Sequence, residues 1–186
     1  MVDPFDILGI APSFDVDLAA IERRYRDLSR VLHPDKHVRS SPAERRMALG
    51  KAVEVNEAWR LMRDPIKRAE ALFRRRGVEV REGAEPKANP ELLMQMMEER
   101  EALSEAKARG DRGAVDRLGS TVRARERTLL GRLSEGFDQG SRNGADTAAL
   151  LPLLGELRYC RRFLDEVSAI EDSREAPPAD RHEDGA

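Results

Sequence analysis

With 186 residues the chain can form one modest domain or two small ones, each near the lower limit for burying a self-sufficient core; this leaves room for two helical modules and excludes one large enzyme. Charged residues make up 37% and aromatics 4%, a balance that suits long exposed helices and argues against a strand-rich sandwich, so the expected fold class is all-α. Basic and acidic side chains nearly cancel to a formal charge of -2, so nothing global draws the chain to nucleic acid or to an anionic membrane, and any charge effect has to be local. Cys160 is the only cysteine, which excludes an intramolecular disulfide and any paired-cysteine zinc knuckle. Met1 is followed at once by Val2-Asp3-Pro4, without a basic leader or a long apolar span, so the expected location is the cytoplasm.

Pro4 to Ile10 supplies apolar residues for one or two helical turns, closed by Gly9 and Pro12, and reads as a short docking helix. From Asp17, a plausible N-cap, Leu18, Ile21, Tyr25, Leu28 and Leu32 recur at steps of three and four and make a core-facing stripe. Arg23, Arg26 and Arg30 follow the same spacing on the opposite side, a cationic face for which the bland reading is a solvated surface paired with Asp27. His33-Pro34-Asp35-Lys36 then interrupts the pattern, because Pro34 has no amide proton and its ring clashes with the preceding helical turn. Alone, these residues mean only a reverse turn. Ser41-Pro42-Ala43-Glu44 is a capping-box signature, and the helix it opens carries Ala48, Ala52, Val55, Trp59 and Met62 on one stripe. The two helices should form an antiparallel hairpin with the His33 loop at its tip. Asp64-Pro65 opens a further helix, Ile66 to Arg76, stopped by Gly77, and Arg74, Arg75 and Arg76 suit the dipole at its C-terminus.

A short helix, a basic helix, a His-Pro-Asp loop and a return helix together resemble a J domain, the module of DnaJ-type co-chaperones, over about residues 1–77. In that family the loop and the positive helix dock on a DnaK-type chaperone and stimulate its ATPase. The resemblance implies a chaperone-ATPase contact made by His33, Pro34 and Asp35, with Arg23, Arg26, Arg30 and Lys36 as electrostatic support. His33, Asp35 and His37 also look like metal ligands, but Pro34 forbids the regular helix that would align two histidines four apart, and His182 is far away in the tail. No metal and no cofactor is expected.

Residues 78–90, with Gly83, Pro86 and Pro90, lack sustained periodicity and read as a linker, with Asn89-Pro90 capping the next helix. That helix can run to Arg109, a second from Asp111 to Glu135 on Val115, Leu118, Val122, Leu129 and Leu133, and a third from Asp146 to Asp172. The third has Leu150, Leu153, Leu157, Cys160, Leu164 and Val167 as its seam, and Pro152 either kinks it or marks its first turn. Three amphipathic helices joined by Gly-rich turns argue for an antiparallel three-helix bundle over residues 91–172, followed by a disordered tail over 173–186.

Leu92-Leu93-Met94-Gln95-Met96-Met97 places three of six methionines within four residues. Leu92, Met96, Leu103 and Ala106 account for the bundle-facing stripe, with Glu99 awkwardly inside it, and Leu93, Met94 and Met97 are left on a second face with Glu98 and Glu101. Either this face packs on the first module or the third helix, or it is an exposed apolar patch of the kind that marks a binding site. A J domain followed by Leu-Leu-Met-Gln-Met-Met-Glu-Glu-Arg-Glu-Ala-Leu and a bundle resembles the HscB co-chaperones of iron-sulfur cluster assembly, to about residue 172. The resemblance implies that the bundle binds the scaffold protein IscU through Leu93, Met94, Met97, Glu98 and Glu101, with an aromatic from the last helix, Tyr159 or, as a second candidate, Phe163. Glu99 stands where that family has a core apolar residue. The paired-cysteine zinc extension of some relatives has no counterpart here. The chain is therefore expected to be a non-enzymatic adaptor between an HscA-type ATPase and IscU, with a J-domain adaptor for another client, carrying a structural or dimerising bundle, as the alternative.

Overall fold

The computed structural model describes residues 3–80, 90–143 and 146–175. Among them every regular element is helical: α1 (Pro4–Leu8), α2 (Leu18–Val31), α3 (Pro42–Arg63), α4 (Pro65–Arg75), α5 (Pro90–Arg109), α6 (Arg112–Asn143) and α7 (Leu151–Glu175), with short 3-10 turns at Pro34–His37 and Thr147–Leu150. The fold is all-α, as composition and periodicity predict. Of the linker expected over 78–90, residues 81–89 with the Asn89 cap, and of the tail expected over 173–186, residues 176–186 lie outside the described residues, while 173–175 are helical and end α7.

The helices begin where the capping chemistry puts them. Asp3, Asp17 and Asp64 each accept a backbone N–H of the first turn, and Ser41 and Glu44 exchange the reciprocal bonds of a full capping box. Glu44 ionises more easily than a free glutamate because the backbone N–H and hydroxyl of Ser41 both donate to it. Gly77 ends α4 with φ of 75°, a left-handed conformation that a side chain would oppose. Pro152 falls in the first turn of α7, so of its two expected roles it takes the second.

The chain divides into two compact units, residues 1–86 with 130–155, and residues 87–129 with 156–186. This division cuts through α6 and α7, whereas the sequence places both helices wholly in the second module. In the first unit α1 lies on α3, with Phe5 and Leu8 fully buried, each contributing about 2 kcal/mol of burial. α2 and α3 form the expected hairpin, clamped by Tyr25 stacked on Trp59 at 5.5 Å and by its hydroxyl donating to Asn56 at 3.0 Å.

Phe137 of α6 completes this unit. Its ring stacks on Phe14 at 5.6 Å and meets the edge of Phe73 at 5.1 Å. Arg76 donates to the Phe137 carbonyl and to the Thr147 hydroxyl, and Ser134 donates to Asp15. These contacts explain why α6 runs well past the expected end at Glu135. Gly136 is needed there for space, since a Cβ would lie 2.4 Å from Leu150.

In the second unit Met96, Leu103 and Ala106 of α5, Val115, Val122 and Leu129 of α6, and Leu157, Cys160, Phe163, Val167 and Ile170 of α7 are buried. Of the expected stripes, Leu92, Leu118 and Leu164 here and Leu150 in the first unit are only half-buried, while Phe163 and Ile170 join the buried set.

Candidate functional site

The His33 loop is a self-braced turn. His33 has extended backbone and caps the 3-10 turn Pro34–His37; its Nδ1 accepts the Asp35 N–H at 3.3 Å, and the Lys36 N–H returns to the His33 carbonyl at 3.0 Å. With Nδ1 accepting, a neutral ring carries its proton on Nε2. The Asp35 carboxylate lies 3.5 Å from the same Nδ1, and both side chains are exposed. His37 fixes the loop to the end of α2, its Nε2 lying 3.2 Å from the Val31 carbonyl. The imidazoles are thus committed to bracing the turn, and among the described residues no group of three or more His, Cys, Asp and Glu gathers for a metal.

Arg23, Arg26 and Arg30 line the exposed face of α2, as their spacing predicts. Each has an acidic neighbour: Asp17 for Arg23 at 4.0 Å, Glu22 for Arg26, and Asp27 for Arg30 at 3.3 Å. Asp27 therefore serves Arg30, and Arg23 reaches back to the N-cap instead. Exposed pairs of this kind stabilise by about 1 kcal/mol or less, so a partner surface can exchange them easily. Lys36 is exposed beside them.

On α5, Leu93, Met94 and Met97 are 52%, 62% and 65% exposed, and Glu98 and Glu101 flank them on the surface. Packing against the last helix does not consume this face. Tyr159 departs from expectation: it is only 8% exposed, its hydroxyl lying 3.0 Å from the Met96 carbonyl and 3.2 Å from the Glu99 carboxylate. Burial, and then the Glu99 charge, push its phenol pKa up. The ring belongs beneath α5, because a buried hydroxyl needs an acceptor and the α5 backbone supplies one. Phe163, the second aromatic candidate, is buried with its ring 6.1 Å from that of Tyr159.

Glu99 is no packing defect. It receives a bidentate pair from Arg125 of α6, with Nη1 at 3.0 Å, and Arg125 Nε lies 3.9 Å from Glu156 of α7. Burial pulls the Arg125 pKa down, but its bonds to Glu99 outweigh that and hold it above its ordinary value. Cys160 lies buried beside this network, its thiol pushed up to about 12, chiefly by burial. The sequence carried a signal for the pair. Glu99 interrupts the Met96–Leu103 stripe and Arg125 interrupts the Val122–Leu129 stripe, opposite charges in two apolar seams that face each other.

The arginines ending α4 also do more than suit the helix dipole. Arg75 binds Asp3 and Asp6, tying down α1, and Arg76 makes the Phe137 and Thr147 bonds of the first unit. Arg68 is buried, donating to the carbonyls of Phe14 at 2.7 Å and Met62 at 2.6 Å with its guanidinium over the Phe14 ring.

The exposed chemistry of the described residues includes a braced polar turn, a cationic helix face and a methionine patch. Among the described residues no helix is long and apolar enough to cross a membrane. Two family models match: the DnaJ domain over residues 3–71 and the HSCB C-terminal oligomerisation domain over 88–168. Among named relatives, the co-chaperone protein HscB homolog of Ralstonia nicotianae is 42% identical over 90% of this chain and 96% of its own. That of Burkholderia multivorans is 35% identical over 89% and 91%. These relatives are named as co-chaperones and not as enzymes. Of solved structures, chaperone HscB from Vibrio cholerae superposes with a TM-score of 0.79 at 27% identity, covering 92% of this chain and 99% of its own. Human co-chaperone HscB gives 0.82 at 25%, covering 92% and 83%. The two modules, their order and their near full-length agreement with these proteins lead to one conclusion: the chain belongs to the HscB family of J-domain co-chaperones.

Proposed function

We propose that the chain couples a client to a chaperone motor: the His33 loop and the arginine face of α2 engage a DnaK-type ATPase of the HscA kind and stimulate ATP hydrolysis, while the α5 face delivers the iron-sulfur scaffold IscU. The observation that carries the reading is the exposed, pre-braced turn at His33 beside three exposed arginines. A turn already held by its own hydrogen bonds loses little entropy on docking, and a cationic rim steers an acidic partner and raises the association rate. The bond-breaking chemistry belongs to the partner's nucleotide site. A J module over residues 1–77, a linker over 78–90 and a client-binding bundle over 91–172 is the functional division this reading uses.

On the client side, Leu93, Met94 and Met97 supply apolar area and Glu98 and Glu101 an acidic border. Tyr159 acts from below, holding the Met96 turn of α5 by its hydroxyl, and offers the client little of its ring. His33→Gln should abolish ATPase stimulation of an HscA-type chaperone and leave IscU affinity unchanged. Leu93→Ala with Met97→Ala should do the reverse, weakening IscU by about 2 kcal/mol or more in calorimetry. Unchanged affinity in the double variant would move the client site elsewhere. A second reading, in which the α5 face joins two copies of the chain, draws on the oligomerisation named in the matching family model. Sedimentation separates the two, since only that reading has the Leu93/Met97 variant dissolve a dimer.

A further inference from the structure

Several large apolar side chains of the first unit are exposed, among them Val31, Val38, Met47, Leu49 and Val53, and of these Leu49 and Val53 lie one helical turn apart on α3. Leu49 and Val53 of α3 are 59% and 60% exposed, although the core stripe of that helix lies elsewhere, on Ala48, Val55 and Met62. Leu49, Val53, Asn56 and Arg60 follow one another at steps of four, three and four and therefore share one face.

The position of that face is fixed by Asn56, which accepts the hydrogen bond from Tyr25 of α2. The stripe thus borders α2 on the side where Tyr25, Ser29 and Arg26 follow one another round the helix. In an antiparallel hairpin, seven residues back from Asn56 along α3 corresponds to about seven forward from Tyr25 along α2. Leu49 then lies level with Leu32, the residue before His33, and Val53 level with Leu28. By this register the apolar pair lies towards the loop end of the hairpin, with the exposed Arg45 and Arg46 beside it on α3, while Arg60 is paired with Glu57 at 2.7 Å.

We propose that Leu49 and Val53 form an apolar half of the ATPase-docking face, seating on an apolar depression bordered by acidic side chains on the DnaK-type partner. The inference rests on the function proposed above and adds a residue pair to it. A surface that is cationic at its rim and apolar in its interior fits a partner with the opposite rim, where the charges govern encounter and the buried aliphatic contact governs residence. A second copy of this chain would bring like-charged rims together and is disfavoured on the same ground.

The test measures ATPase stimulation of an HscA-type chaperone against concentration of the full chain, for the parent, Leu49→Gln/Val53→Gln, Leu49→Ala/Val53→Ala and His33→Gln. Both double variants keep good helix formers at exposed sites, and helicity and melting temperature check the fold. The expected result is a rise of about tenfold in the half-maximal concentration with the plateau retained, persisting at about 0.5 M salt. His33→Gln should instead lose the plateau. Unshifted curves for both double variants, with His33→Gln inactive, overturn the apolar half and leave the loop reading standing. Full stimulation by His33→Gln overturns the loop reading itself. A parent dimer that the double variants dissolve assigns the pair to self-association and overturns the proposal.

Discussion

Arg68 carries a positive charge into the first unit, where the carbonyl oxygens of Phe14 and Met62 and the π-face of the Phe14 ring stand in for lost water. Burial pulls its pKa down, with Asp15 and Asp64 opposing. Arg68→Met keeps the stem and removes the donors, leaving both carbonyls short of a partner, and should cost about 2–3 kcal/mol in urea unfolding. A loss below about 0.5 kcal/mol would mean that water replaces the guanidinium there. Cys160 tests burial from the opposite side. Its folded pKa of about 12 lies above the ordinary 9.0, so between these values the unfolded chain gives up a proton that the folded chain keeps. Stability from this group is therefore complete below about pH 9 and is lost as pH rises towards 12, with Tyr159 acting in the same direction further up. At about pH 8 the folded thiol should resist a disulfide-exchange reagent such as DTNB, while the chain in denaturant reacts at once. Rapid modification of the folded protein would contradict its burial. The burial of Cys160 was legible from its place in the α7 seam, whereas the role of Arg68 was not. Arg68 among the lysines and arginines of α4 looks like any surface cation, and the carbonyls it serves lie on a loop 54 residues earlier and at the end of α3.

Helix α3 shows what a sequence can specify locally. Ser41, Pro42 and Glu44 fix its start through bonds that span three residues, and the apolar stripe fixes its inner face, so both were readable. Helix α6 shows the limit, because its extension past Glu135 depends on Phe137 meeting Phe14 and Phe73, partners more than 60 residues distant. The Glu99–Arg125 pair lies between these cases. Each residue alone reads as a flaw in an apolar stripe, and only the facing of α5 and α6 turns two flaws into one interaction. A double-mutant cycle should therefore show strong coupling: Glu99→Leu or Arg125→Leu alone costs about 3 kcal/mol, and the two together recover most of it. Additive losses would mean that the pair contributes nothing specific to the seam. On α5 itself the exposed methionine face was legible by subtraction, since the bundle needs Met96 and Leu103 and has no use for Met94 and Met97. The burial of Tyr159 was not legible, because it depends on its hydroxyl meeting the Met96 carbonyl of another helix.

On the function proposed above, the molecule joins two interaction surfaces with different physics. The first unit offers charge and a rigid turn, suited to a fast and salt-sensitive encounter; the α5 face offers flexible thioethers, suited to an adaptable apolar grip. Membership of the HscB family follows from matches spread over most of the chain, whereas the coupling of the two surfaces is proposed. The most direct test is the ATPase rate of an HscA-type chaperone with this chain and IscU, alone and together, repeated with His33→Gln. The account predicts that chain and IscU together raise the rate by more than the product of their separate effects, and that His33→Gln loses this synergy while still binding IscU. Simple multiplication of the two effects, or synergy that survives His33→Gln, would contradict it.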